Sequence, residues 1–147
     1  MCFCATLWIG SLLKTAHHSP RPYFDEPSMI DGDLHDCAGE YGNPSAHALM
    51  AGQYFLMLSL YYKDKYKQQW DNLGKLTRIV LNVLQWCVVL SICFSRFYAG
   101  RHSIDQLIYG FVLGIWCAYF SHYYFKPYIY DPCNRKDMNH WKHLFWV

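Results

Sequence analysis

Long runs without charge alternate along this chain with short polar connections, and the lengths of the runs suggest the class of protein. Residues 1–13 carry no charge before Lys14, and residues 46–62 none apart from the titratable His47. Residues 79–95 lie between Arg78 and Arg96, and residues 106–125 between Asp105 and Lys126. The last three runs hold 17 to 20 residues. As α-helix that is roughly 25–30 Å, close to the thickness of a bilayer's hydrocarbon core. Each is rich in Leu, Val, Ile, Phe and Tyr with little alternation, so none offers a polar face to water. The pattern predicts an all-α, integral-membrane helical bundle with three full spans. Residues 1–13 are too short to cross, and they lack both a basic leading segment and a small-residue cleavage site. They fit a signal peptide poorly and read as an N-terminal half-span whose beginning is missing.

The connections give an orientation. Residues 63–78 hold Lys63, Lys65, Lys67, Lys75 and Arg78 against Asp64 and Asp71. Residues 15–45 hold Arg21 against Asp25, Glu26, Asp31, Asp33, Asp36 and Glu40. The bias of basic residues toward the cytoplasm places the first connection inside and the acidic one across the membrane. Alternation then puts the connection around residues 96–105 on the same face as the acidic loop, and the tail, residues 126–147, in the cytoplasm. A chain of 147 residues suits one domain, residues 1–147. A hydrophobic share of 53% and an aromatic share of 19% exclude a disordered chain. Thirteen Lys and Arg against eleven Asp and Glu argue against a nucleic-acid binder. The seven cysteines form no C-x-x-C pair, and Cys37 is the single one in the acidic loop, so no intramolecular disulfide is expected on that face.

The two loops sharing one face carry the candidate chemistry. One opens with Lys14 and reaches Arg21-Pro22 in KTAHHSPRP, then closes on Pro44-Ser45-Ala46-His47; the other reads SRFYAGRHSIDQ, from Ser95 to Gln106. Three cations, two histidines and a serine at a helix start therefore gather there. Lys and Arg are suited to a phosphate's oxygens, and a helix N-terminus after Pro44 is an anion site in its own right. Two histidines can divide labour as nucleophile and acid. His17 and His18 read as spacers, and His122 as a packing histidine within the last span. His35 and Cys37 lack a second ligand pair for zinc, so no metal site is expected. Arg101 is open between a solvated charge and contact with a substrate headgroup.

At these residues the chain resembles the type 2 phosphatidic acid phosphatase superfamily, which includes sphingosine-1-phosphate phosphatases, glucose-6-phosphatases and vanadium-dependent haloperoxidases. The family signature K-x6-R-P, P-S-G-H and S-R-x5-H-x3-D is met at Lys14, Arg21, Pro22, Pro44, Ser45, His47, Ser95, Arg96 and His102. The motif-bearing part covers residues 14–125. The resemblance implies that Lys14, Arg21 and Arg96 cradle a phosphate, with Ser45, Ala46 and nearby amides completing the pocket. It implies that His102 attacks phosphorus to give a phosphohistidine, and that His47 protonates the leaving oxygen and later activates water. No metal or other cofactor is implied, since fixed cations carry the transition-state charge. It also implies a layout of about six spans, of which this chain would be an incomplete copy.

Two positions depart from the signature. Ala46 stands in place of glycine, adding a methyl where backbone approaches phosphate. Four residues after His102 stands Gln106, while the acid, Asp105, is at three; either can reach His102 at a helix start. Gln106 resembles the glucose-6-phosphatase branch, whereas His102-Ser103-Ile104 is similar to the sphingosine-phosphate branch. The expected function is a metal-independent membrane phosphatase acting on a phosphomonoester, a lipid phosphate such as phosphatidate or sphingosine phosphate foremost. Its partners are that substrate and the bilayer, with no nucleic acid. The expected location is an endomembrane such as the endoplasmic reticulum, with the site on the non-cytoplasmic face. Alternatives are a catalytically inert pseudophosphatase or gene fragment, and a glucose-6-phosphatase-like activity.

Overall fold

The computed structural model of the chain describes residues 2–25 and 40–130. Cys37, Cys133, His35 and the acids from Glu26 to Asp36 lie outside the described residues, as does the tail beyond Tyr130. The described elements are all helical: α1 (Cys2–His17), α2 (Pro22–Asp25), α3 (Ala46–Lys65), α4 (Lys67–Asn72), α5 (Lys75–Tyr98) and α6 (Ile104–Tyr130). Each uncharged run, as far as it is described, lies within a helix that continues a few residues beyond it. α1 continues through Lys14 to His17, and α6 enters what the sequence assigned to the tail. The basic connection holds its own short helix, α4.

Two helices are long and apolar enough to cross a membrane by length and composition: all of α5, and α6 over Ile104–Tyr124. The third expected span is the central helix of the bundle. α3 has the length but not the apolar character, and its position explains why. It packs most heavily on α6, then on α5 and α1. Ala48, Leu49, Ala51, Gly52, Gln53, Leu56 and Met57 are buried along it. A helix sheltered by its neighbours has less need of an apolar surface on every side. α5 is the opposite case, with Val89 its one buried residue and Leu84, Leu90 and Phe94 facing outward.

Small residues set the closeness of the α3–α6 crossing. Gly110 and Gly114 lie one turn apart on α6. A Cβ added at Gly110 would stand 2.5 Å from the Ser45 carbonyl oxygen, and one at Gly114 would overlap the Leu49 carbonyl. From the other side, a Cβ at Gly52 would meet the Phe111 carbonyl at 3.1 Å. Backbone therefore rests on backbone, as in the small-xxx-small packing of membrane helices. One turn below, Leu56 and Met57 close against the fully buried Ala118.

Gly114→Val must part the two helices, and overpacking of this kind costs about 1–3 kcal/mol. Thermal unfolding in detergent should show a clear fall in Tm for Gly114→Val. Gly74→Ala, whose new methyl would find Thr77 Oγ1 at 3.9 Å, should leave Tm nearly unchanged. Equal Tm values for the two variants would contradict the close crossing.

Candidate active site

Three helix ends and their turns build the site. α1 stops just beyond Lys14: the His18 amide donates to the Lys14 carbonyl at 3.2 Å, and His18 takes a left-handed φ of 47°. That reversal brings Arg21 back toward Lys14, which accounts for the six-residue spacing between them. His18 is thus a turn residue, and its ring lies 4.8 Å from that of Tyr41. α5 stops at Gly100, whose φ is 63°. The Gly100 amide donates to the Phe97 carbonyl and the Arg101 amide to the Arg96 carbonyl, the paired bonds of a Schellman turn. Arg96 in the last turn and His102 in the connection are held in fixed relation by it.

His102 is 3% exposed and its Nδ1 lies 3.0 Å from the Gly42 carbonyl oxygen. A carbonyl can only accept, so Nδ1 carries the proton and Nε2 keeps its lone pair. Burial foremost, then the Arg21 guanidinium, push the imidazole's pKa down to about 4, with Gln106 and the Gly42 carbonyl opposing and Arg96 adding to the fall. The ring is therefore neutral at physiological pH. Gln106 is 4% exposed and interacts with the imidazole. Its Nε2 donates to the Pro20 carbonyl at 2.8 Å, and its Oε1 accepts from the Ser103 amide at 3.3 Å. It lies so close beneath Gly42 that a Cβ there would meet it at 2.6 Å. One amide thus ties together both loops of the site. Asp105 is exposed on the first turn of α6.

The cations surround the two histidines. Arg21, 4% exposed, donates through Nε to the Glu40 carbonyl at 2.9 Å. The Lys14 ammonium pairs with the Glu40 carboxylate, whose pKa the pairing lowers. Arg96 Nε is buried with no hydrogen-bond partner among the described residues. Desolvation foremost, then the charges of Arg96, Lys14 and Arg21, lower the pKa of His47 in the first turn of α3. Arg101 acts in turn on Arg96.

The start of α3 borders the pocket, and Ser45 stands there as its cap. The Ser45 amide donates to the Gln106 carbonyl at 3.1 Å, and Ser45 Oγ caps the helix by accepting from the Ala48 amide at 3.5 Å. A helix leaves its first four amides without intrahelical acceptors. With those of Ser45 and Ala48 engaged, the amides of Ala46 and His47 remain for an anion. Ser95 is exposed and donates to the Ile92 carbonyl at 2.7 Å, within its own helix. The structure therefore gathers Lys14, Arg21, Ala46, His47, Arg96, His102 and Gln106, and gives Ser45 a capping role. Sequence reasoning missed Glu40 and the carbonyls of Gly42 and Pro20. The carbonyls have no signature in the sequence, and Glu40 was one acid among six.

A buried neutral histidine ringed by fixed cations at a helix start is the arrangement of a phosphate-handling membrane protein. The chain belongs to the PAP2 superfamily, whose family model matches residues 1–130. It is 36% identical to the dolichyldiphosphatase of Saccharomyces cerevisiae over 109 residues, 71% of this chain and 41% of that protein. It is 33% identical to glucose-6-phosphatase catalytic subunit 1 of Rattus norvegicus over 133 residues, 78% of this chain and 36% of the relative. To sphingosine-1-phosphate phosphatase 2 of Mus musculus it is 27% identical over 107 residues, 73% of this chain and 27% of the relative. The chain spans less than half the length of these curated relatives. No solved structure matches it.

Two measurements test the electrostatics. NMR titration should find His102 unprotonated down to about pH 5, where an ordinary histidine is mostly protonated. Orthovanadate, by neutralising the cations that hold the pKa down, should raise it; a free-enzyme value near 6.5 would contradict the site. Glu40→Gln removes the carboxylate that competes for Lys14 and should tighten orthovanadate binding. Weaker binding would mean that Glu40 serves to position Lys14.

Proposed function

We propose that this protein is a metal-independent membrane phosphatase that removes a terminal phosphoryl group from a phosphorylated lipid alcohol. The observation that carries this reading is His102, buried, neutral and oriented by the Gly42 carbonyl, with the charges of Arg21 and Arg96 acting on its ring and Arg96 Nε buried without a partner among the described residues. Nε2 attacks phosphorus and the bond to the leaving oxygen breaks, giving a phosphohistidine. His47, biased toward its neutral form in the free protein, takes up a proton as the negatively charged phosphoryl group binds and delivers it to the departing alkoxide. It then takes a proton from water, whose oxygen attacks phosphorus and restores His102 as phosphate leaves. Lys14, Arg21, Arg96 and the amides of Ala46 and His47 stabilise the charge that builds on the phosphoryl oxygens.

A lipid substrate fits the position of the site. Arg96 and His102 lie where two apolar helices, α5 and α6, end and begin, so a headgroup at the membrane boundary meets them while its chains stay in the bilayer. The charge bias of the connections favours the non-cytoplasmic face of the membrane. Gln106 supports activity over an inert reading, since it sustains the bonds around His102 in place of a carboxylate. Its presence also leaves a glucose-6-phosphatase-like activity as a second reading, and the rat relative's name keeps that reading in view.

Phosphate release should be measured against phosphatidate, sphingosine phosphate, a polyprenyl diphosphate and glucose 6-phosphate. His102→Ala should abolish turnover, and His47→Ala should cost roughly 10²–10⁴-fold. Orthovanadate should inhibit and EDTA should change little. A trapped phosphoenzyme stable in base and labile in acid marks phosphohistidine. Full turnover by His102→Ala, or strict dependence on a divalent ion, would overturn the mechanism.

A further inference from the structure

One cavity lies apart from this site. A volume of about 520 Å³ opens between the C-terminal half of α3, α4 and the N-terminal half of α5, at the end of the bundle away from His102. Leu58, Tyr62, Trp70, Leu73 and Leu81 give it apolar and aromatic walls, and Asn82 a polar edge. Along α3 it lies about 20–25 Å from Ser45, at 1.5 Å per residue, too far to receive the substrate of His102.

Its rim is cationic. Asn82 is oriented by donating through Nδ2 to the Arg78 carbonyl at 2.8 Å, which turns its Oδ1 toward Lys63 Nζ at 3.5 Å. The same ammonium stands 5.3 Å over the Trp70 ring, and that of Lys65 stands 5.6 Å over Tyr66. With Lys67, Lys75 and Arg78, five basic residues surround this end against Asp64 and Asp71. The Asp64 carboxylate is engaged by His122 Nε2 at 3.2 Å. An apolar slot with a fixed ammonium at its lip, set in a basic patch at a membrane boundary, matches a lipid that has both an acyl chain and a negative headgroup.

We infer that this cavity binds an anionic phospholipid of the surrounding bilayer, one acyl chain lying between Leu58, Leu81 and Trp70 and the headgroup phosphate meeting Lys63. The inference stands apart from the hydrolytic reading. The lipid is a ligand here and undergoes no reaction. Bound in this way, it fills the gap between α3 and α5 at the end where α4 bridges them.

The test uses the full chain in nanodiscs of phosphatidylcholine containing phosphatidylglycerol, with either lipid brominated on one acyl chain. Bromine quenches a tryptophan it touches, and subtracting the signal of Trp70→Phe isolates Trp70. Brominated phosphatidylglycerol should quench Trp70 more strongly than brominated phosphatidylcholine at equal mole fraction. Lys63→Gln should reduce that preference roughly fivefold, the worth of one basic residue at an anionic surface, and Lys63→Arg should retain it. Ser59→Phe, which fills the cavity from α3, should weaken quenching by both lipids. Raising ionic strength on the unaltered protein should also erode the preference, a readout that needs no variant. Equal quenching by the two lipids, or a preference indifferent to both salt and Lys63→Gln, would overturn the inference. Absence of Trp70 quenching by either lipid would overturn it too, and would mean that a second copy or another protein segment closes the cavity.

Discussion

The site depends on the backbone contact between α3 and α6. Gly110 lies against the Ser45 carbonyl and Gly114 against that of Leu49, so the two helices are close enough for the Ser45 amide to reach the Gln106 carbonyl. That single bond joins the helix start that presents amides to an anion with the residue that braces His102. Side chains of ordinary size at either glycine would separate two halves of the chemistry, even though neither glycine touches a reacting group. In a bilayer, where water does not drive helices together, such close packing is a main source of association.

Around that contact, His102 is oriented by backbone rather than by a carboxylate. The Gly42 carbonyl fixes the tautomer of His102, and Gln106 holds the Gly42 and Pro20 segments in place beside it. A neutral acceptor leaves the imidazole's charge governed by burial and by Arg21, which both favour the neutral ring. The arrangement suits the role proposed for His102, attack on a phosphorus already surrounded by positive charge.

Much of this was legible in the sequence, for physical reasons that differ from residue to residue. Runs without charge marked the long helices because a charge inside a bilayer is costly. The hydropathy of α3 was harder to weigh, since its shelter lies in neighbours far along the chain. Lys14, Arg21, Arg96, His47 and His102 declared themselves by type and spacing. The choice between Asp105 and Gln106 needed the register of α6. Gln106, Gly110 and Gly114 recur every fourth residue and face α3, while Asp105 is turned about 100° away. That stripe of one amide and two glycines was written in the chain, but its meaning required a partner helix. The short α4 has too few residues for a periodic signal, whereas Ser45 at a helix start carried the ordinary signature of a cap, which its side chain makes.

The loose seat of α5 has a consequence for the working cycle. Arg96 rides on a helix with one buried residue that leans on α3 and barely touches α6. Lys14 comes from α1, and the free amides come from α3. A bound phosphoryl group therefore cross-links three helices that the protein itself joins only weakly on the α5 side. Ligand that binds the folded form alone adds to its stability in proportion to the logarithm of occupancy. Under the proposed reaction the protein is then tightest in the middle of turnover and slackest after product leaves, so the reactant serves for part of each cycle as a structural member of the bundle.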